Sequence, residues 1–165
     1  AEPAHSQAAA GRAMAGAAAA FLQSLSADER SRASFAFDDD TRFEFRFTPR
    51  ARTGVPLKDL TESQRTLAHA LLRTGLSVRG YTSATDIIAL ELVLRSLEPP
   101  RTGPGAIVRD PELYFVSIYG EPGGPAPWGW KFEGHHLSVN FTLIEGKPVV
   151  FAPSLFGASP ATVRE

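Results

Sequence analysis

Two adjacent histidines, His135 and His136, are the residues of this 165-residue sequence whose types most readily do chemistry. Imidazole is the commonest metal ligand in proteins and the usual general base near neutral pH. The pair follows Gly134 and precedes a stretch that alternates apolar and polar residues, as a β-strand does. The sequence predicts that the pair holds one transition metal ion such as Zn, Cu or Fe, which would activate water or take part in redox chemistry.

The alternation predicts the direction of each ring. Apart from His135, the odd-numbered residues up to Leu143 are apolar and should face the core. The even-numbered ones from His136 to Thr142 are polar and should face solvent or a cavity. A regular strand would place His135 and His136 on opposite faces, but a bulge at Gly134 would bring them together. Ser138 and Asn140 share the face of His136 and are predicted to orient ligands or contact substrate. The alternative is a structural role, with His135 buried and His136 at the surface.

Two tryptophans precede the histidines and suggest a different function. Trp128 and Trp130 share one side of the predicted strand, and paired indoles next to polar groups can stack a sugar, a cation or an aromatic ligand. A small-ligand binding module is therefore the alternative to a metal site. Glu133 is a further candidate for substrate binding, although a glutamate here would equally suit a strand face exposed to solvent. The tryptophans would equally suit the open end of a core. A third possibility is a structural half-domain that pairs with another chain through a sheet edge.

The other ionisable residues do not complete a metal site. Ligation needs at least three donors, so the missing ones would come from a second half-domain or from another subunit of a homo-oligomer. His69 is predicted on the exposed face of its helix, which makes it a poor ligand. Glu91 lies in an apolar helix, where Arg95 four residues later predicts a simple ion pair. No nucleotide or flavin motif is found.

Composition excludes several classes of function. The chain has no cysteine, which excludes disulfides, thiolate metal sites and cysteine nucleophiles. A net charge of −1 gives no concentrated basic face for a nucleic acid. The sequence contains no run of 18 apolar residues, so no membrane span is predicted. The sequence starts at Ala1, a small residue that suits the mature side of a signal-peptidase cut, so we expect a secreted or periplasmic protein.

The elements that must position these residues are helices followed by strands. Residues 1–20 are Ala-rich and predict a partly frayed helix that reaches Leu25, followed by a single α+β domain over residues 21–165. Capping boxes begin two more helices at Ser26 and Thr61, and a fourth helix is predicted to start at Thr82 or Ser83.

Alternating residues predict strands at 43–48, 112–120, 128–134 and 135–146, and a hairpin turn leads into a last strand at 147–153. Because helices precede strands, the predicted fold class is α+β, with N-terminal helices packed on one face of a mostly antiparallel sheet.

Several stretches resemble an uncharacterised bacterial and fungal family, a domain of unknown function. They include RDPELYFVSIYGEPG, FGASPATVRE and above all WGWKFEGHHLS. The last resembles the specific run of that family, WGW[KR]FEGHHLS, in which Lys or Arg occupies the fourth position. The resemblance implies export and a second half with a further His-x-His motif. It therefore implies that this chain is the N-terminal half of a longer two-part protein or a naturally short member. If His135 and His136 are ligands, the second half would supply the rest of the shell.

Overall fold

The computed structural model describes residues 2–98, 103 and 108–162, and it has the predicted α+β fold. The α-helices are α1 (Glu2–Ser24), α2 (Ala27–Ala33), α3 (Glu62–Gly75) and α4 (Val78–Leu97). The strands are β1 (Ser34–Phe35), β2 (Val55–Pro56), β3 (Phe115–Tyr119), β4 (Trp128–Gly134), β5 (Leu137–Ile144), β6 (Lys147–Phe151) and β7 (Leu155–Phe156). No helix in the described ranges is long and apolar enough to cross a membrane.

Two of the helices begin where their capping boxes predict. The Ser26 hydroxyl accepts from the Glu29 N–H at 3.3 Å, and the Glu29 carboxylate accepts from the Ser26 N–H at 2.8 Å. Thr61 and Gln64 make the same reciprocal pair at the start of α3. Helix α4 begins earlier than predicted, because its cap is Ser77, whose hydroxyl accepts from the N–H of residue 80.

The sheet is mostly antiparallel, as predicted. Its strand order is β1-β3-β4-β5-β6, with β2 also paired to β3 and β7 also paired to β5. Only the short pairing of β1 with β3 is parallel among the described strands. At the outer edge, β6 exposes Val149, Val150 and Phe151 by 52 %, 45 % and 41 %.

The core lies between the helices and one face of this sheet. The register of β4 and β5 places Trp130 opposite Phe141 and Phe132 opposite Val139, so one face is apolar throughout. The helices cover this face with buried side chains: Met14, Ala18, Phe21, Ala68, Leu71, Leu72, Ala84, Ile87 and Ile88. Burial of these side chains is the main source of stability of the helix–sheet contact.

A coil segment, residues 36–54, covers the opposite and polar face of the sheet; we call it the covering segment. The predicted strand at 43–48 is wrong, because this part of the chain forms a 3₁₀ turn, Asp40–Phe43, followed by coil. Several of its main-chain carbonyls accept from side chains instead of from a neighbouring strand: Lys131 Nζ donates to the Glu44 carbonyl at 3.1 Å, and Arg52 Nη2 donates to the carbonyls of residues 46 and 48. Phe43 and Phe47 consequently face outward and are 63 % and 54 % exposed.

Candidate functional site

The histidine pair forms the tip of a β-hairpin. Strands β4 and β5 pair up to Gly134 and Leu137, so His135 and His136 are the two residues of the connecting turn. The prediction that a strand continues through both histidines is therefore wrong. His136 has a φ of 55°, in the left-handed region that costs an L-residue roughly 1–2 kcal/mol. Strain of this kind persists where surrounding contacts fix the backbone, and it is commonest at functional sites.

Hydrogen bonds from distant parts of the chain fix the tip. Arg52 Nη2 donates to the Gly134 carbonyl, and Tyr114 Oη donates to the His135 carbonyl, each at 2.8 Å. The backbone N–H of residue 157 donates to the His136 carbonyl, also at 2.8 Å. The His136 N–H donates to a carbonyl of the covering segment, that of residue 47, at 3.1 Å. Each carbonyl of the tip thus has a partner, and the turn cannot relax without losing one.

The turn brings the two imidazoles together. The ring centroids of His135 and His136 lie 4.3 Å apart, with 77° between the ring planes. Burial lowers the pKa of His136 below its ordinary value; the neighbouring His135 and Arg109 act in the same direction, and Glu91 acts in the opposite one. His136 is therefore neutral near pH 7, the state in which an imidazole can bind a metal.

Glu91 of α4 holds the His135 ring. Its Oε1 contacts His135 Nδ1 in a short hydrogen bond, and the two residues are only 2 % and 7 % exposed. A carboxylate can only accept, so in the neutral imidazole Nδ1 carries the proton and Nε2 keeps its lone pair. The predicted ion pair of Glu91 with Arg95 is wrong, because Arg95 contacts the Arg109 carbonyl at 2.8 Å and Asp110 at 3.8 Å.

Arg109 contacts the nitrogens of the His135 ring. Its Nη1 is 3.3 Å from Nδ1 and 3.4 Å from Nε2, and with the proton on Nδ1 only Nε2 can accept from it. Glu98 fixes the guanidinium with two bonds of 2.9 Å. His135 thus has a carboxylate at Nδ1 and the positive charge of Arg109 beside its ring.

A cavity of about 210 Å³ opens beside His135. Its walls come from the covering segment, α4 and the stretch before β3, and they are mostly apolar. The lining residues are Pro49, Arg50, Ala51, Arg52, Glu91, Val108, Asp110, Leu113, Phe115 and His135. A cavity with apolar walls and a few convergent polar groups is the usual form of a small-molecule site.

The predicted tryptophan platform lies away from this cavity. Trp128 and Trp130 are 1 % and 0 % exposed and face the helices. Trp128 pairs with Leu143 at the other end of the hairpin from the histidines. Stacking of a ligand on either indole would require the core to open, so this arrangement gives no support to ligand binding by Trp128 and Trp130.

The other predicted substrate-binding residues, Glu133, Ser138 and Asn140, lie on the polar face beneath the covering segment. Glu133 bonds to Lys131 Nζ at 2.9 Å and lies 3.8 Å from Arg52 Nε. Asn140 Nδ2 donates to the Arg42 carbonyl at 3.1 Å. The Ser138 hydroxyl and Asn140 Oδ1 are buried without a protein partner in the described part of the chain. Glu133 and Asn140 thus hold the covering segment in place.

Metal donors are few around the tip. In residues 2–98, 103 and 108–162, no group of three or more His, Asp or Glu side chains is arranged to hold a metal ion. His135 and His136 are therefore two donors that would need others.

Sequence reasoning missed Glu91, Arg109 and Arg52 as parts of the site. A signal for Glu91 was present, since Ile87, Glu91 and Leu94 follow helical spacing and all three are buried. Arg109 and Arg52 come from irregular stretches and gave no comparable signal.

Comparison with known proteins gives a family without an activity. A family model described as "Protein of unknown function (DUF3500)" matches residues 7–165. No curated protein and no solved structure gives a significant match to the chain.

Proposed function

We propose that this chain, which belongs to the DUF3500 family of proteins of unknown function, binds one transition metal ion. The ligands would be His135 and His136, at the tip of the hairpin. The run WGWKFEGHHLS, residues 128–138, would be the segment through which family members share this site. An alignment in which the two histidines vary freely among members would count against that part of the proposal.

The arrangement of the two rings carries the proposal. Two imidazoles bound to one metal at about 2.0–2.1 Å per nitrogen have centroids roughly 4.5 Å apart at right angles and roughly 5.2 Å apart at the tetrahedral angle. The observed 4.3 Å between His135 and His136, with steeply inclined planes, needs only a small change in side-chain angles to reach that geometry. The backbone of the turn is already fixed, so little ordering would accompany binding.

The environment of His135 supports this proposal. Metal-binding histidines commonly donate their other ring N–H to a carboxylate, which fixes the tautomer and makes the free nitrogen more basic. Glu91 occupies this position on Nδ1 of His135. Bound there, the metal would supply Lewis acidity or redox chemistry to a molecule in the adjacent cavity.

Two imidazoles alone leave coordination positions for water or for donors outside the described residues. The predicted second half-domain, or another subunit, would fill them. The charge of Arg109 weakens binding of any cation. Among divalent ions, affinity should favour Cu²⁺ over Zn²⁺, in the order usual for nitrogen ligands. Export to the periplasm or beyond is part of the same proposal, and cell fractionation tests it.

A second candidate function is a metal-free ligand site, and the cavity beside His135 favours it. In that case the Glu91–His135 pair would hydrogen-bond to the ligand or transfer a proton to it. This candidate retains the idea of a small-ligand module but moves it from the tryptophans to the cavity.

Metal titration of EDTA-treated protein separates the two. Calorimetry with Cu²⁺ and Zn²⁺ should show one binding event per chain. His136→Asn should weaken it at least about tenfold, and Asn tolerates the left-handed backbone at this position. His69→Gln is the matched control, because His69 lies in the groove between α3 and α4, and this variant should bind as the parent does.

Replacement of Glu91 and His135 together by Gln removes the second ligand without leaving a buried charge. Circular dichroism should show that this double variant is folded. Unchanged Cu²⁺ and Zn²⁺ binding in both the double variant and His136→Asn would overturn the metal proposal and leave the metal-free site.

A further inference from the structure

The cavity beside His135 has the size of a small organic molecule. Its volume of about 210 Å³ corresponds to about seven waters at about 30 Å³ each. Pro49, Val108, Leu113 and Phe115 give it apolar walls. Apolar walls favour a ligand with an apolar body, since the free energy falls when water leaves its contact with them.

The two carboxylates of the cavity already have partners. Glu91 is bonded to His135, and Asp110 lies 3.1 Å from Lys58 Nζ and 3.8 Å from Arg95 Nη2. Neither group has an uncompensated charge that would attract a cationic ligand.

The arginines of the cavity differ from one another. Arg52 is buried and donates to the carbonyls of residues 46, 48, 50 and 134, with Glu133 nearby. Arg50 is exposed at the mouth, and within the described ranges its guanidinium has no carboxylate within 4.0 Å. Burial lowers the pKa of Arg52, Glu133 opposes this, and the nearby charges of Arg50 and Arg46 lower the pKa further.

We propose that the cavity binds a small monocarboxylate with an apolar body. The carboxylate would pair with Arg50 at the mouth, the body would lie against Leu113 and Phe115, and the far end would approach His135. The inference deepens the proposed function, because such a molecule would be the substrate placed beside the histidine pair. Its carboxylate contact does not need the metal.

Binding of carboxylates to EDTA-treated protein tests this directly. Calorimetry or ligand-observed NMR should show that benzoate and hexanoate bind about tenfold or more tightly than benzamide and hexanamide, the difference expected for one charged hydrogen bond. Arg50→Gln should remove that preference, and Arg50→Lys should keep part of it. Arg30→Gln, an exposed arginine on α2, is the matched control and should leave it unchanged.

A second variant tests the location. Ala51→Phe places a ring in the cavity wall and should abolish binding of both carboxylates while the fold is retained. Equal affinity for acids and amides, binding that survives Ala51→Phe, or inorganic phosphate binding as tightly as benzoate would overturn the proposal. Since the metal titration uses no carboxylate, failure of either proposal can be told from failure of the other.

Discussion

His135 Nδ1 and Glu91 Oε1 are hydrogen-bonded across 44 residues of sequence, in a place almost closed to water. Glu91→Gln keeps the shape of the side chain and one acceptor but removes the charge. We expect a loss of about 1–2 kcal/mol in the free energy of unfolding, the difference between a charged and a neutral hydrogen bond. Urea denaturation measures it. Glu121→Gln, an exposed control, should stay within about 0.5 kcal/mol, and equal midpoints for the two variants would contradict the prediction.

Arg52 is predicted to hold the covering segment on the hairpin tip. Arg52→Ala leaves three segment carbonyls and the Gly134 carbonyl without this donor, and Glu133 loses a partner. Removal of one member of a buried charged cluster costs about 3–5 kcal/mol. Hydrogen exchange of the covering segment should increase with the loss of stability.

The control for this variant is Arg46→Ala, since Arg46 is 45 % exposed and pairs only loosely with Glu44. It should change stability by less than about 1 kcal/mol. Similar exchange rates in the covering segment of both variants would show that Arg52 does not hold it.

Gly134 is predicted to tolerate no side chain. A Cβ at this position would lie 2.2 Å from the Tyr114 ring, whose hydroxyl bonds to the turn. Gly134→Ala should therefore destabilise the protein by about 1–3 kcal/mol or more. Gly16→Ala is the opposite case: Gly16 is in α1 with open space around it, so this variant should gain about 0.5–1 kcal/mol. A thermal melt of the two proteins should show shifts of opposite sign.

His69 is predicted to make stability depend on pH. Burial, helped by the nearby Arg73, lowers its pKa below 6.5. Its ring nitrogen contacts the Tyr81 hydroxyl at 3.2 Å, its ring contacts Phe132, and Glu62 and Arg65 line the same groove. The unfolded chain binds a proton at this histidine first, so stability falls as pH drops through about 6.5 toward the folded pKa.

The test is the difference in unfolding free energy between about pH 7 and about pH 5. His69→Gln keeps a partner for the Tyr81 hydroxyl and cannot be charged, so this difference should shrink. Other groups of the protein titrate equally in both proteins and cancel in the comparison. An unchanged difference would mean that His69 is as easily protonated in the folded state as in the unfolded chain.

Local sequence signals predicted the fold well where the interactions are local. The capping boxes at Ser26 and Thr61 were correct because both partners lie within one helical turn. The order of helices before strands was sufficient for the α+β class. Alternation failed at residues 43–48, because an extended coil has the same pattern as a strand. Its carbonyls accept from Lys131, from Arg52 and from the His136 N–H instead of from a neighbouring strand.

The candidate site was only half predictable. The histidine pair was identified from its residue type, and the helical spacing that buries Glu91 could have shown that it needs a partner. The partner itself could not be predicted, since it lies in a hairpin turn that only the tertiary fold brings to α4. Arg109 and Arg52 reach the tip from irregular chain, where spacing carries no information about direction.

The outer side of β6 has a consequence for the behaviour of the protein at high concentration. In the described part of the chain no strand pairs with that side, and an unpaired edge with exposed Val149 and Phe151 can template fibril growth. Lys147 and Pro148 stand at the start of the same strand, where a charge and a missing N–H discourage a foreign strand. Replacing both with threonine would remove these two protections from the edge.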